Sequence, residues 1–190
     1  MIDVDRMPPL DPAAMTEAQK SAAQELASGP RGGVKGPFIP LLRSPELMDR
    51  LQKVGEYLRF RSSLQARISE FLMLVVSRHW TQQFEWFVHV PLAFRAGIKQ
   101  ETVQSLAEGR RPAGMAQDEE IAYGLCDELF RTKGVSEATY RSAVDQFGEY
   151  GVIDLLGLVG YFTTVSMVMN VAHTPPPKDD GVAALRAFPF

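Results

Sequence analysis

Glu85 and His89 are the first residues of this chain whose types and spacing point to chemistry. On a helix, a spacing of four places both side chains on one face, with Gln82 one turn earlier on the same stripe. The residues between them are aromatic or aliphatic, so the pair can lie in apolar surroundings. There the carboxyl group would fix the imidazole tautomer and raise the imidazole pKa, while desolvation would lower it. The pattern therefore favours an acid/base pair.

Spacing alone also allows two plainer interpretations of this pair. A glutamate and a histidine at i,i+4 commonly form a weak pair on a solvated helix face. A metal site would need more ligands, and the chain has no second histidine-containing motif to supply them. The sequence also lacks a glycine-rich phosphate loop, a nucleophile elbow and a paired-cysteine metal motif. We therefore expect neither a metal ion nor a cofactor.

Glu70 is the third candidate, since a very apolar run at positions 71–76 follows it. A carboxyl group beside such a run needs a partner when its helix is buried. Arg67, one turn earlier, could provide that partner locally. The functional alternative is a partner on another helix, for which His89 is the candidate.

The remaining residues with reactive side chains give weaker signals. Cys126 is the single cysteine, so no intrachain disulfide can form, which fits a reducing cytoplasm. We expect it to be a buried core residue. A redox function through this thiol and a partner thiol would need a low pKa, which the adjacent Asp127 and Glu128 oppose. His79 is expected on the surface, and His173 at a helix C-terminus, where positive charge is favourable.

Helical periodicity dominates the elements that must position these residues. Thr16 and Gln19 form a capping box that predicts a helix to about Ala27, and Pro30–Pro40 is predicted to be a loop. A further helix is predicted from Ser44, with an apolar stripe at Leu47, Leu51, Val54 and Leu58. The next begins at Ser62, where Gln65 completes a second capping box, and another runs from a break near Trp80-Thr81 to Gly97. The remaining helices are predicted over 99–108, 117–133, 136 to about 148, and 150–172. No segment shows the two-residue alternation of strands, so we predict an all-α bundle.

Composition narrows the possible partners. The net charge of -3 gives no basic surplus, so we expect no nucleic-acid partner. The first residues lack the basic and apolar features of a signal peptide. Positions 155–172 carry no charge and are just long enough for a membrane span, but they include four polar residues and two glycines. We therefore expect a buried helix in a cytoplasmic homo-oligomer and no membrane partner.

The motif Leu64-x-x-Arg67-x-x-Glu70, followed by Glu85-Trp86-x-x-His89-x-x-x-Ala93-x-x-x-Gly97, resembles the carboxymuconolactone decarboxylase superfamily, which includes the alkylhydroperoxidase D group. The lead-in Gly36-Pro37-Phe38-Ile39-Pro40 is similar as well. The resemblance covers about 34–172. It implies a multi-helix bundle that forms trimers or hexamers. The chain would then be one domain, 1–190, with an N-terminal arm and short helix at 1–33 and a tail at 173–190.

The two branches of that superfamily match different residues. The alkylhydroperoxidase branch resembles the chain at Glu70 and His89, but its paired cysteines would fall at Gln82 and Glu85. Neither residue can form a disulfide or attack a peroxide, which excludes a two-cysteine peroxidase. The lactone decarboxylases resemble the chain at Glu85 and His89, are shorter and generally have no glutamate at the position of Glu70.

The resemblance implies a cofactor-free lyase or isomerase acting on a small carboxylated unsaturated lactone or a related aromatic-catabolism intermediate. His89 would donate the proton, Glu85 would orient it, and Glu70 would be a second acid/base or a support. An arginine should receive the substrate carboxylate, and the candidates are Arg43, Arg59, Arg61 and Arg67. The alternatives are a peroxiredoxin-like protein by homology that lacks the redox cysteine pair, or a non-catalytic oligomer that binds a small molecule.

Overall fold

The computed structural model of the protein describes residues 4–177 and 181–186, and within these ranges the chain is helical without a strand. A short 3-10 turn at Pro12–Ala14 precedes eight α-helices. They are α1 (Glu17–Ser28), α2 (Phe38–Leu41), α3 (Pro45–Phe60), α4 (Ala66–His79), α5 (Gln83–Arg95), α6 (Gln100–Ala107), α7 (Gln117–Thr132) and α8 (Glu137–Ala172). The all-α prediction is confirmed.

Helix α4 is the centre of the bundle. It packs against α5, α6, α7 and α8. Because neighbours surround it, its apolar residues are not confined to one stripe, and every residue from Phe71 to Arg78 is buried. The apolar run that follows Glu70 in the sequence is therefore the core of the molecule, and Glu70 lies at its edge.

Helix α8 is broken at Gly148, whose φ of 68° and ψ of 166° are not helical. Glycine adopts this conformation without the steric cost that a side chain would add. The predicted boundary near this residue is therefore confirmed. The segment after the break includes the one stretch of the described chain that is long and apolar enough to cross a membrane, with a mean hydropathy of 1.8. Since 56% of that stretch is buried and it packs on α4, it is a core helix.

The N-terminal segment has a small core of its own, formed between α1, α2 and α3. Helix α1 begins with the predicted capping box of Thr16 and Gln19. The predicted loop at Pro30–Pro40 is correct up to Pro37, after which α2 begins. In this loop Gly36 has a φ of 54°, and a Cβ atom added to it would lie 2.4 Å from Cε1 of Phe84. The glycine therefore lets the loop lie directly on α5.

Two local predictions around α3 are wrong. In the predicted stripe, Leu58 is buried, but Leu47 and Val54 are exposed, because α3 turns Met48 and Gly55 toward the core instead. The second capping box is also absent. The Ser62 hydroxyl donates to the carbonyl oxygen of Leu58, which extends the end of α3 rather than starting α4.

Candidate acid/base site

His89 lies between two carboxyl groups. Its Nδ1 atom is 2.7 Å from Oε2 of Glu70, and its Nε2 atom is 3.2 Å from Oε2 of Glu85. Glu85 is on the same helix one turn earlier, whereas Glu70 reaches His89 from α4, which packs against α5. We call these three residues the Glu–His–Glu triad. Of the two partners considered for Glu70, the structure selects His89; Arg67 instead pairs with Asp118 and Glu119.

The triad is shielded from water. His89 is 1% exposed and Glu85 is 5% exposed, so the pair does not lie on a solvated face. The ring of Phe162 packs edge-on against the imidazole at a centroid distance of 5.3 Å. Burial alone would lower the pKa of His89, but the hydrogen bonds to Glu70 and Glu85 outweigh it and raise the pKa above its usual value. The imidazole is therefore held as a proton-carrying group near neutral pH.

Gln82 fixes the start of the helix that carries two members of the triad. Its Oε1 atom accepts from the backbone N–H groups of Phe84 and Glu85, which makes it the N-cap of α5. Its Nε2 atom donates to Oδ1 of Asn170 on α8, at 3.0 Å. Asn170 in turn donates to the carbonyl oxygen of Trp80. Gln82 stands where the resemblance to the alkylhydroperoxidase branch would place a cysteine, and here it is a structural cap that ties α5 to α8.

A cavity of about 290 Å³ lies against Glu85 and His89. Glu70 does not line it, so this carboxyl group contacts the imidazole on the side away from the cavity. Phe84, Val88, Phe162 and Val165 contribute apolar side chains to the wall. Polar groups on an apolar wall suit a small organic molecule.

Of the four arginines considered as receptors for a substrate carboxylate, one lines the cavity and three do not. Arg59 lines it. Arg61 pairs with Glu56 at the surface, and Arg43 donates to backbone carbonyl oxygens of the N-terminal segment. Arg67 is held by its two acids on α7. Sequence reasoning missed Arg31, which lines the cavity from the loop between α1 and α2.

Tyr161 is a second lining residue without a sequence signal. Burial raises the pKa of Tyr161 to about 12, although nearby Arg31 opposes this shift. The hydroxyl group therefore stays protonated at neutral pH and can donate a hydrogen bond. The apolar composition of α8 gave no reason to single it out, because a tyrosine in a core helix is most often a packing residue.

His79 and Cys126 lie outside the triad. His79 is exposed at the end of α4, as expected, and its ring stacks on Phe130 at a centroid distance of 3.9 Å. Partial burial against this neighbour lowers the pKa of His79. It lines a separate cavity of about 280 Å³ that neither Glu85 nor His89 touches. Cys126 is buried, as expected, and burial raises the pKa of its thiol to about 12. A thiol in this state is a poor nucleophile.

No group of three or more histidine, cysteine, aspartate or glutamate side chains within 4–177 and 181–186 is arranged to hold a metal ion. In the triad, both imidazole nitrogens already face carboxyl groups. The arrangement is suited to moving a proton along the line Glu70–His89–Glu85, with Glu85 and His89 at the cavity wall.

Comparison with known proteins adds information at the level of the fold. No protein-family model matches the chain, and no curated protein matches it. Among solved structures, an uncharacterized peroxidase-related protein from Ralstonia eutropha, described as an alkylhydroperoxidase AhpD core, superposes with a TM-score of 0.74 at 15% identity, over 91% of this chain and 92% of that one. A peroxidase-related protein from Silicibacter sp. gives a TM-score of 0.70 at 13% identity, with 90% of each chain covered.

A protein of unknown function from Agrobacterium tumefaciens is also similar, with a TM-score of 0.65 and 15% identity over 73% of this chain and 96% of that one. At these identities the similarity concerns backbone architecture and does not carry an activity. All three TM-scores are nevertheless 0.65 or higher. The chain therefore has the all-helical alkylhydroperoxidase AhpD-like fold.

Proposed function

We propose that this protein is a cofactor-free acid/base enzyme, a lyase or isomerase, acting on a small carboxylated unsaturated lactone or a related intermediate of aromatic catabolism. The observation that carries the proposal is the buried His89 with a carboxyl group at each ring nitrogen, on the wall of a cavity. A group whose pKa is raised from about 6.5 is well matched to donating a proton near neutral pH.

Each member of the triad has a separate task in this proposal. Glu70 holds Nδ1 of His89 from outside the cavity and keeps the imidazole protonated. His89 is the proton source. Because its Nε2 atom faces Glu85, the proton passes to the Glu85 carboxyl group, which exchanges it with the substrate. Glu70 is thus a positioning residue, while Glu85 and His89 touch the substrate.

The reaction of a carboxylated unsaturated lactone would proceed in two steps. The bond between the carboxylate carbon and the ring breaks, carbon dioxide leaves, and the electron pair moves onto the conjugated carbonyl group. The resulting dienolate then takes up the proton from the His89–Glu85 pair, leaving His89 neutral until water reprotonates it. The conjugated carbonyl itself accepts the electrons, so the chemistry calls for a proton donor, charge stabilisation and a dry site.

Steady-state turnover tests this assignment directly. A panel of unsaturated lactones and β-keto acids is offered to the wild type, to His89→Gln and to His79→Gln, which makes the same change at the separate cavity. We expect His89→Gln to lose at least about 100-fold in kcat, because the source of the transferred proton is removed. His79→Gln should retain wild-type turnover. Equal turnover of the wild type and His89→Gln on a processed compound would refute the acid/base role.

A further inference from the structure

Two arginines on the cavity wall have no acidic partner. Within the described residues, 4–177 and 181–186, neither Arg31 nor Arg59 forms an ion pair with a carboxyl group. The Nε and Nη2 atoms of Arg31 and the Nε atom of Arg59 are buried without a hydrogen-bond partner there. Buried donors of this kind are rare in proteins, because each one loses its bonds to water and gains nothing in return.

The environment of Arg31 disfavours a buried positive charge without a hydrogen-bonded anion. Burial lowers the pKa of Arg31, and the nearby positive charge of Arg59 adds to this effect, while Tyr161, Glu85 and Glu56 oppose it without cancelling it. The guanidinium group stacks on Phe38 at 4.7 Å from the ring centroid. It also reaches Gly55, where an added Cβ atom would lie 2.7 Å from Nη2 of Arg31 and 2.3 Å from the hydroxyl oxygen of Tyr161. A glycine on α3 therefore leaves room for both polar groups.

The charges that line the cavity are mostly positive. Arg31, Lys35 and Arg59 are cationic, and Glu85 is the one acidic residue among the lining residues of the described chain. A cavity with this balance raises the local concentration of anions. A planar guanidinium group binds a carboxylate through two parallel hydrogen bonds. A carboxylate is an anion whose two oxygen atoms match the donors of these arginines.

We propose that Arg31 and Arg59 form a receptor for the carboxylate of a small, flat organic acid whose carbon skeleton lies on the apolar wall formed by Phe84, Val88 and Phe162. At about 290 Å³, the cavity is at the small end of the range of roughly 300–1,000 Å³ usual for ligand sites, which suits a single ring. The receptor deepens the proposed function, on which it rests, by naming the anchoring group of the substrate. Arg31 belongs to the segment before 34–172, so the N-terminal segment supplies one of the two arginines of the receptor.

Ligand binding tests the receptor without requiring turnover. Benzoate and benzamide have nearly the same shape but differ in charge, and both are titrated into the full chain by calorimetry. We expect benzoate to bind at least about 10-fold more tightly than benzamide, and Arg31→Gln or Arg59→Gln to weaken benzoate about 10- to 100-fold, the usual effect of losing a charge-assisted hydrogen bond. Arg61→Gln, an exposed arginine on the same chain segment as Arg59, is the matched control and should bind like the wild type.

Thermal unfolding separates a receptor from a structural arginine. Because Arg31 holds two buried nitrogen atoms without a hydrogen-bond partner, Arg31→Met should melt at the same or a higher temperature than the wild type without ligand. Benzoate should raise the melting temperature of the wild type and not that of Arg31→Met. A structural Arg31 would instead lower the melting temperature when replaced, and that result would overturn the proposal, as would equal affinities for benzoate and benzamide. His89→Gln should still bind benzoate. Lost turnover with intact benzoate binding therefore identifies a residue of the acid/base chemistry, whereas lost benzoate binding identifies a residue of the receptor.

Discussion

At the scale of single residues, His89 differs from an ordinary buried histidine because it faces two carboxyl groups rather than one. Glu85 and Glu70 compete with the cost of burying a charged ring, and together they prevail, so the pKa of His89 is raised. The two carboxyl groups are not equivalent, since only Glu85 also lines the cavity. In the proposed reaction, this asymmetry would direct the proton from the Glu70 side of the imidazole toward the cavity.

The raised pKa of His89 predicts a specific dependence of stability on pH. A histidine whose pKa is higher in the folded than in the unfolded state contributes stability that is complete below about pH 6.5. That contribution is lost as the pH rises through the folded pKa. We therefore expect the free energy of unfolding of the wild type, measured in urea from pH 5 to pH 9 (about the stable range of most proteins), to fall through this window relative to that of His89→Gln.

Glu70→Gln provides the matched comparison for the same measurement. It keeps the shape of the side chain but removes a charge that raises the pKa of His89. The fall in stability should begin at lower pH and be smaller, and the imidazole signals in an NMR titration should shift at lower pH than in the wild type. If the midpoint of the imidazole titration were the same in both proteins, Glu70 would not hold the proton on His89.

The residue scale also shows what the sequence could reveal of the site. The pairing of Glu85 with His89 could be predicted because residues four apart on a helix lie on the same face. The contact between Glu70 and His89 was one of two alternatives, because it depends on how two helices pack. The position of Arg31 at the cavity could not be predicted from the sequence, because this residue lies in a loop without periodicity. The cavity that it lines forms only when the chain folds.

At the scale of elements, the loop before α2 holds the cavity wall in place. Gly36 brings this loop against the ring of Phe84, and Arg31 and Lys35 enter the cavity from the same loop. The loop therefore combines two tasks, packing on α5 and presenting positive charge. A change in its path would alter both.

Gly36→Ala tests that role, with Gly114→Ala as its control. Both glycines have positive φ, at 54° and 66°, so an alanine at either site carries a left-handed penalty of about 1–2 kcal/mol. Only at Gly36 would the new Cβ atom also lie 2.4 Å from Cε1 of Phe84, whereas nothing lies within 4 Å at Gly114. We expect Gly36→Ala to lose a further ~1–3 kcal/mol of unfolding free energy, from overpacking, and to weaken benzoate binding. Equal losses in the two variants would show that the contact with Phe84 is unimportant.

Most element boundaries were predictable, and the errors share a cause. The capping box of α1 and the break in α8 depend on neighbours in sequence, and both are confirmed. Which face of α3 is buried depends on how the helix packs against α8. The apolar periodicity predicted a buried face that includes Leu47 and Val54, which are exposed. A stripe with several apolar positions on two faces does not determine its own orientation.

At the scale of the whole molecule, helix α8 has an exposed apolar surface that packs against no other helix of the described chain. After its break, α8 exposes a row of residues that recur at one or two helical turns: Ile153, Leu156 with Gly157, Gly160, Met167 and Val171. They share one face of the helix, opposite the face that packs on α4. Ile153 is 67% exposed and Val171 is 61% exposed, which is unusual for large apolar side chains.

We propose that this row is the contact between copies of the chain in a homo-oligomer, the trimer or hexamer that the resemblance implies. Replacing Ile153 and Met167 together by lysine should break the assembly, because two charges would be buried without partners. Light scattering after gel filtration should give a multiple of 21.1 kDa for the wild type and 21.1 kDa for the double variant. Val135→Lys, an exposed valine outside the row, should leave the mass unchanged. A wild type of 21.1 kDa would contradict the proposal.

The cap formed by Gln82 has a consequence for how this protein could have evolved. A cysteine at that position would give up the cap of α5, worth about 1 kcal/mol, and would create no redox pair while Glu85 remained. A cysteine at position 85 alone would remove a partner of His89 and again create no pair. Each single step toward thiol chemistry therefore loses something and gains nothing. A change to thiol chemistry would therefore need two substitutions, of which the first costs either helix stability or a partner of His89 without providing a redox pair.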